Sequence, residues 1–295
     1  NSSNRSIDIV FFLVWRNTYL LKLVHHHQRL YIKYEYGVFN NIKELNEYRF
    51  KDYLKKITLQ GKIEIVREEG YTIPPRINTL EIDSDSPIMA NNIPDSIDTL
   101  HFGMGFNKPL YALSTNLSLT SLSLGHYFNT EILPGDLPVS LKTLIFDGCT
   151  FGRKLRAHIS FSNWQFYGSS YNKPFQKGAL PPSLTHLELS EDYNHPFKEG
   201  DLPPGLLVLA FGKFDQPIKL NQLPNSLQYL KFGPLWNHPL SYYNLLSMSK
   251  KSILPNSLTH LDLSYCKFDQ VLSNGDIPST LKCLKLPKNY NKPLL

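Results

Sequence analysis

A ten-residue phrase, Leu-Pro-x-Ser-Leu-x-x-Leu-x-Phe, returns about once every 22 residues from Ile73 to the C-terminus. A sustained period of this length predicts a stack of similar coils, because one coil of that size cannot bury its own apolar side chains. The last apolar residue of each copy falls at Ile82, Phe102, Leu124, Phe146, Phe166, Leu189, Phe211, Phe232, Leu263 and Leu286. Subtracting neighbours gives spacings of 20, 22, 22, 20, 23, 22, 21, 31 and 23, so one interval requires an insertion. Those extra residues are expected to form an exposed excursion near 241–253, since the phrase resumes at Leu254-Pro255.

Each residue type in the phrase has a physical reason to recur. Leu-x-x-Leu-x-Phe turns alternate side chains inward, as at Leu100 and Phe102, which predicts a short strand with one buried face. One strand per coil implies a parallel sheet. Proline in the second position, as at Pro94 or Pro224, lacks a donor for the ladder and marks the bend before the strand. After the strand come an aromatic, then Asn or Asp, then Pro, as in Phe106-Asn107-Lys108-Pro109. Asn172, Asn194, Asn237 and Asn291 repeat the asparagine, whose side chain is suited to bonding loop amides of its own coil and the next.

These residues resemble the FNIP repeat, a relative of leucine-rich repeats, whose Phe-Asn-x-Pro core stands whole at Phe106, Asn107 and Pro109. The resemblance covers Ile73 to Leu295; the copy marked by Phe146 departs from it with Phe151-Gly152, and the copy marked by Phe166 replaces the leucines with aromatics. It implies a leucine-rich-repeat-like parallel solenoid of about ten coils that binds proteins. Residues 1–72 are expected to be a helical leader that caps the first coil, and residues 73–295 the solenoid.

Composition adds limits rather than chemistry. The net charge of +6 is concentrated in residues 1–72, where 12 Lys and Arg face 8 Asp and Glu. Between the inward strand residues the outward column reads Glu81, His101, Ser123, Ile145, Gln165, Glu188, Ala210, Lys231, Asp262 and Lys285. That mixed column is not the cationic stripe that tracks phosphates, so it argues against nucleic acid; its charged members, Glu81, His101, Glu188, Lys231, Asp262 and Lys285, are the candidate interaction surface. His25, His26 and His27 are contiguous and point about 100° apart on a helix, so no metal site is expected there. Recurrent serines such as Ser140 and Ser226 read as turn residues, and no phosphate-binding glycine loop occurs. Neither an enzyme nor a cofactor is expected. Cys149, Cys266 and Cys283 lack paired spacing and read as free thiols of a monomer in the cytoplasm or nucleus. The sequon Asn116-Leu117-Ser118 is a chance product of an Asn- and Ser-rich chain, and Ile9 to Trp15 is too short to span a bilayer.

The leader lacks Pro and Gly from Ser6 to Tyr34 and is dense in apolar residues, which predicts a helix or helical pair. Trp15, Tyr19, Leu20 and Leu23 are expected to be buried in the cap, with Arg16, Lys22 and Arg29 solvated. Two further roles attach to this segment. Phe11, Trp15 and Leu20 lie at one-five-ten spacing beside Arg16 and Lys22, a pattern suited to calmodulin, which a relative in the resembling family binds. The family resemblance also implies a ubiquitin-ligase adaptor through an F-box-like leader, although the opening Leu-Pro usual in that motif is missing.

Overall fold

The computed structural model describes residues 17–61, 72–89, 93–146, 170–244 and 249–293. Its strands are β1 (Tyr36–Phe39), β2 (Lys56–Leu59), β3 (Thr79–Ile82), β4 (Thr99–Phe102), β5 (Ser121–Leu124), β6 (Thr143–Phe146), β7 (His186–Glu188), β8 (Val208–Ala210), β9 (Tyr229–Lys231), β10 (Ser241–Asn244), β11 (Ser249–Ser252), β12 (His260–Asp262) and β13 (Cys283–Lys285). Eleven of them form a parallel sheet in chain order, one per coil; β10 and β11 leave it and pair with each other antiparallel. Ile57, Leu80, Leu100, Leu122, Leu144, Leu187, Leu209, Leu230 and Leu261 stand opposite one another across nine consecutive strands. None is more than 1% exposed, and burying each such side chain contributes about 1.5–3 kcal/mol.

The phrase forms the same bend before eight of the eleven sheet strands. The carbonyl of Pro74, Pro94, Pro138, Pro181, Pro203, Pro224, Pro255 and Pro278 each accepts the N–H three residues on, at 3.0–3.1 Å. The serine hydroxyls then reach the preceding coil: Ser140 donates to Leu119 O, Ser183 to Leu141 O, Ser226 to Leu206 O and Ser257 to Leu227 O, at 2.6–2.7 Å. They are therefore fasteners between coils. Three residues before the bend proline, Gly135, Gly178, Gly200 and Gly275 take positive φ, and Asn221 (φ 64°) stands in the same place in its coil.

Three expectations are corrected. The sheet begins at Tyr36, inside the segment read as a helical leader, because Phe39, Leu54, Ile57 and Leu59 supply core side chains as the later coils do. Phe166 lies outside the described residues, and β6 pairs directly with β7 in the sheet; of the other nine marks, Ile82, Phe102, Leu124 and Phe146 end strands and the remaining five stand one residue past a strand end. Helix α1 (Thr18–Tyr34), capped by the Asn17 side chain on the amides of Tyr19 and Leu20, has no buried residue: Tyr19 is 72% and Leu23 42% exposed, and Leu20 is only partly covered. Trp15 and Arg16 lie outside the described residues, while Lys22 and Arg29 are exposed. The cap of the stack is therefore the β1–β2 coil and the short helix α2 (Ile42–Glu47), whose Leu45 is fully buried. No helix among the described residues is long and apolar enough to cross a membrane.

The 31-residue interval contains the β10–β11 hairpin, so β9 pairs directly with β12. Buried Asp276 holds the hairpin to the body. Its carboxylate accepts from the Ser241 hydroxyl, from Ser273 N at 2.7 Å and from Lys250 Nζ. Burial works to raise the Asp276 pKa, but these hydrogen bonds and the Lys250 charge more than offset it and hold the carboxyl below its ordinary value.

Candidate interaction surface

The asparagines form a ladder along the edge of the stack. Asp85 Oδ1 accepts Asn107 N at 3.1 Å, Asn107 Oδ1 accepts Asn129 N at 2.9 Å, Asn129 Oδ1 accepts Asn172 N at 3.0 Å, Asn172 Oδ1 accepts Asn194 N at 3.2 Å and Asn194 Oδ1 accepts Asp215 N at 2.9 Å. Asn237 Oδ1 accepts Asp269 N at 2.9 Å. Asn291 is exposed on the last coil. Each rung satisfies a loop amide that the strand ladder does not reach.

Inside these loops the aromatics stack. Phe106 and Phe128 are 6.2 Å apart and 3° from parallel; Phe128 and Tyr171, Tyr171 and Tyr193, Trp236 and Phe268, and Phe268 and Tyr290 follow at 5.8–6.3 Å and 4–17°. Phe106 is fully buried, whereas Pro109 is exposed at the turn beyond it. Burial drives the Tyr171 and Tyr193 phenols well above the ordinary tyrosine value, so both stay neutral. The Phe, Asn and Ser of the phrase are thus spent on holding coils together.

What remains for a partner is the outer face of the sheet, and its two halves differ. Glu81 and His101, expected to point into solvent, are each only 6% exposed. Glu81 accepts from the Thr58 hydroxyl at 3.2 Å and lies 3.7 Å from Lys56 Nζ. Asp262 is also 6% exposed and accepts from the Ser264 hydroxyl at 2.6 Å and from Lys285 Nζ at 3.2 Å. Burial opposes ionisation of Asp262, yet the Ser264 and Lys285 bonds leave its pKa lowered, and the same bond raises that of Lys285. Glu188 and Lys285 are exposed, and Lys231 is half-buried with its ammonium 5.2 Å from the ring centre of exposed Tyr265. In the neighbouring column Thr79, Thr99, Ser121 and Thr143 of β3–β6 give way to His186, Val208, Tyr229 and His260 of β7–β12. The larger and more varied side chains lie on the C-terminal half. Single-column reading of the sequence missed His186, Tyr229 and His260, which the same two-residue alternation makes legible.

One row has the composition of a catalytic triad. Glu81, His101 and Ser123 are register partners on β3, β4 and β5. All three are buried, and among the described residues the Ser123 hydroxyl has no hydrogen-bond partner, so the His101 imidazole is not placed to activate it as a nucleophile. Cys266 is buried and its thiol is pushed up to about 11, mainly by that burial, which keeps it protonated and unreactive. Asn116 of the sequon is 5% exposed; its amide nitrogen donates to Ile93 O and its oxygen accepts from Ser118 N and Leu119 N. Among the described residues no cluster of His, Cys, Asp or Glu is arranged to hold a metal ion.

Comparison with known proteins agrees with this geometry. The FNIP Repeat family model matches residues 117–149, 163–192, 193–235 and 214–266. An FNIP repeat-containing protein of Dictyostelium discoideum is 32% identical over 144 residues, 48% of this chain and 33% of that protein. The Dictyostelium discoideum calmodulin-binding protein CmbB is 33% identical over 125 residues, 42% of this chain and 22% of that protein. The matched stretch therefore spans about a third or less of these relatives. The crystal structure of CroV588, described as a novel circular LRR protein, superposes with a TM-score of 0.54 at 27% identity, covering 82% of this chain and 38% of that one. With one strand per coil, the asparagine and aromatic ladders and these likenesses together, the chain carries FNIP repeats over residues 117–149 and 163–266, set in a leucine-rich-repeat-like solenoid fold.

Proposed function

We propose that the chain is a non-enzymatic protein-interaction scaffold whose binding surface is the outer face of the sheet from β7 to β13. One observation carries this reading. Side chains that repeat are consumed between coils, whereas equivalent outward positions in β7–β13 hold Glu188, Ala210, Lys231 and Lys285 beside His186, Val208, Tyr229 and His260. Variation on a rigid, regularly spaced frame supplies specificity without costing the fold. The test is quantitative affinity purification from the source cell with the wild-type chain and with the triple variant Glu188→Lys, Lys231→Glu, Lys285→Glu. The variant loses the partner, while reversal of Lys173, Lys198 and Lys219 on the loop side keeps it; equal loss from both rejects the assigned face.

A second reading, calmodulin binding through α1, is favoured by the exposure of Tyr19, Leu23 and Val24. The helix carries Lys22, Arg29 and Lys33 and no acidic residue, and the relative CmbB is named for calmodulin binding. A basic amphipathic helix is the form that calmodulin-type grooves accept.

A further inference from the structure

Helix α1 touches the rest of the molecule through its C-terminal half alone among the described contacts. The His27 ring stacks on Tyr53 at 5.7 Å, with its Nδ1 2.5 Å from the phenol oxygen. Tyr31 packs edge-on against Tyr53 at 4.8 Å, and the Arg76 guanidinium, 5.1 Å from the Tyr31 ring centre, donates to its hydroxyl. Tyr34 stacks on Phe50 at 4.0 Å and 5°. At about 100° per residue, His27, Tyr31 and Tyr34 share one arc of the helix with Tyr19, Leu20, Leu23, Val24 and Leu30. Lys22, Arg29 and Lys33 fall on a separate stripe, spaced by seven and four residues. The face that docks on the solenoid is thus the apolar face that an acidic, helix-accepting groove would need.

From this overlap we infer that the seat formed by Phe50, Tyr53 and Arg76 is an intramolecular latch that competes with such a groove for α1. This rests on the calmodulin reading of α1. A partner engaging the whole apolar arc must first displace His27, Tyr31 and Tyr34 from the seat. The N-terminal half, with Tyr19 and Leu23 already exposed, is the point of first contact, and no change in the coils is required. Because the groove-competent state is the undocked one, apparent affinity falls in proportion to the docked fraction.

Calcium-loaded calmodulin titrated onto the full chain tests the latch. The double variant Phe50→Ala, Tyr53→Ala and, separately, Arg76→Ala, whose side chain lies outside the core, open the seat; thermal melting establishes that each still folds. Loss of two or three aromatic contacts should tighten binding about tenfold in the double variant and by a smaller factor in Arg76→Ala. Adding Leu23→Glu and Val24→Glu to the opened chain should abolish binding. Equal affinity of the wild-type and both opened chains overturns the latch and leaves the calmodulin reading standing. If the opened chains bind no calmodulin, or bind it despite the glutamates, the calmodulin reading falls and the latch inference with it.

Discussion

The Asn129 side-chain oxygen accepts the backbone N–H of Asn172 at 3.0 Å, although 43 residues separate them where Asn107 and Asn129 are separated by 22. The ladder therefore closes across the long interval as if the two coils were consecutive. Ser183 to Leu141 O, at 2.7 Å, and the parallel pairing of β6 with β7 close it at the other side of the coil.

Asn129→Ala should destabilise the chain by about 1 kcal/mol, because the Asn172 amide loses its acceptor but retains access to water. Asn129→Asp should lose less than half of that, since a carboxylate accepts the same bond, as Asp85 does from Asn107. Urea midpoints measure both; an alanine variant as stable as wild type would show that the rung is ornamental.

Gly233→Ala should cost about 3 kcal/mol or more. An added Cβ would stand 1.5 Å from the Gly212 carbonyl oxygen, a backbone atom fixed in the neighbouring coil, so the stack itself must open. At Gly205 the nearest atom is 3.5 Å away, and Ala there should change stability by less than about 1 kcal/mol. Similar denaturation midpoints for the two alanine variants would refute this account of the glycine contact.

Stability should fall in acid through Asp276, Asp262 and Asp85. Each has its pKa lowered in the folded chain, so the unfolded chain binds protons first as pH drops. Their contribution is present above the unfolded value of about 3.9 and is lost as pH falls through the folded values. Asp276→Asn should flatten the decline of melting temperature between about pH 5 and pH 2. An unchanged acid slope would mean that the clasp around the hairpin carries no net charge stabilisation.

Replacing residues 243–251 with a short Gly-containing turn should leave a cooperatively melting solenoid, because β9 and β12 pair without the hairpin. Removal of Lys250 takes one partner from Asp276, so the melting temperature should drop by a few degrees. Loss of the cooperative transition would make the hairpin an integral part of its coil.

The repeat made the coils readable because its residues act within a coil or on the identical position of the next one. Leu230 occupies the core wherever the phrase occurs, and Asn237 finds the next loop amide for the same reason. Leu54-x-x-Ile57-x-Leu59 fits the phrase too and sits 23 residues before Ile82, so β2 was legible at its spacing even without the preceding Leu-Pro. Asp276 was not, since its carboxylate is buried only by a hairpin that interrupts the period.

By itself, then, the amino-acid sequence determined the coil: its strand, its proline bend, its asparagine rung and the parallel stacking that equal spacing imposes. Tertiary structure alone decided that β6 adjoins β7, that Glu81, His101 and Asp262 are buried while Glu188 and Lys285 are exposed, and that α1 lies outside the core. Those outcomes depend on which neighbours cover a side chain. A periodic pattern repeats the local preference of each residue, but burial is a property of the assembled contacts around it.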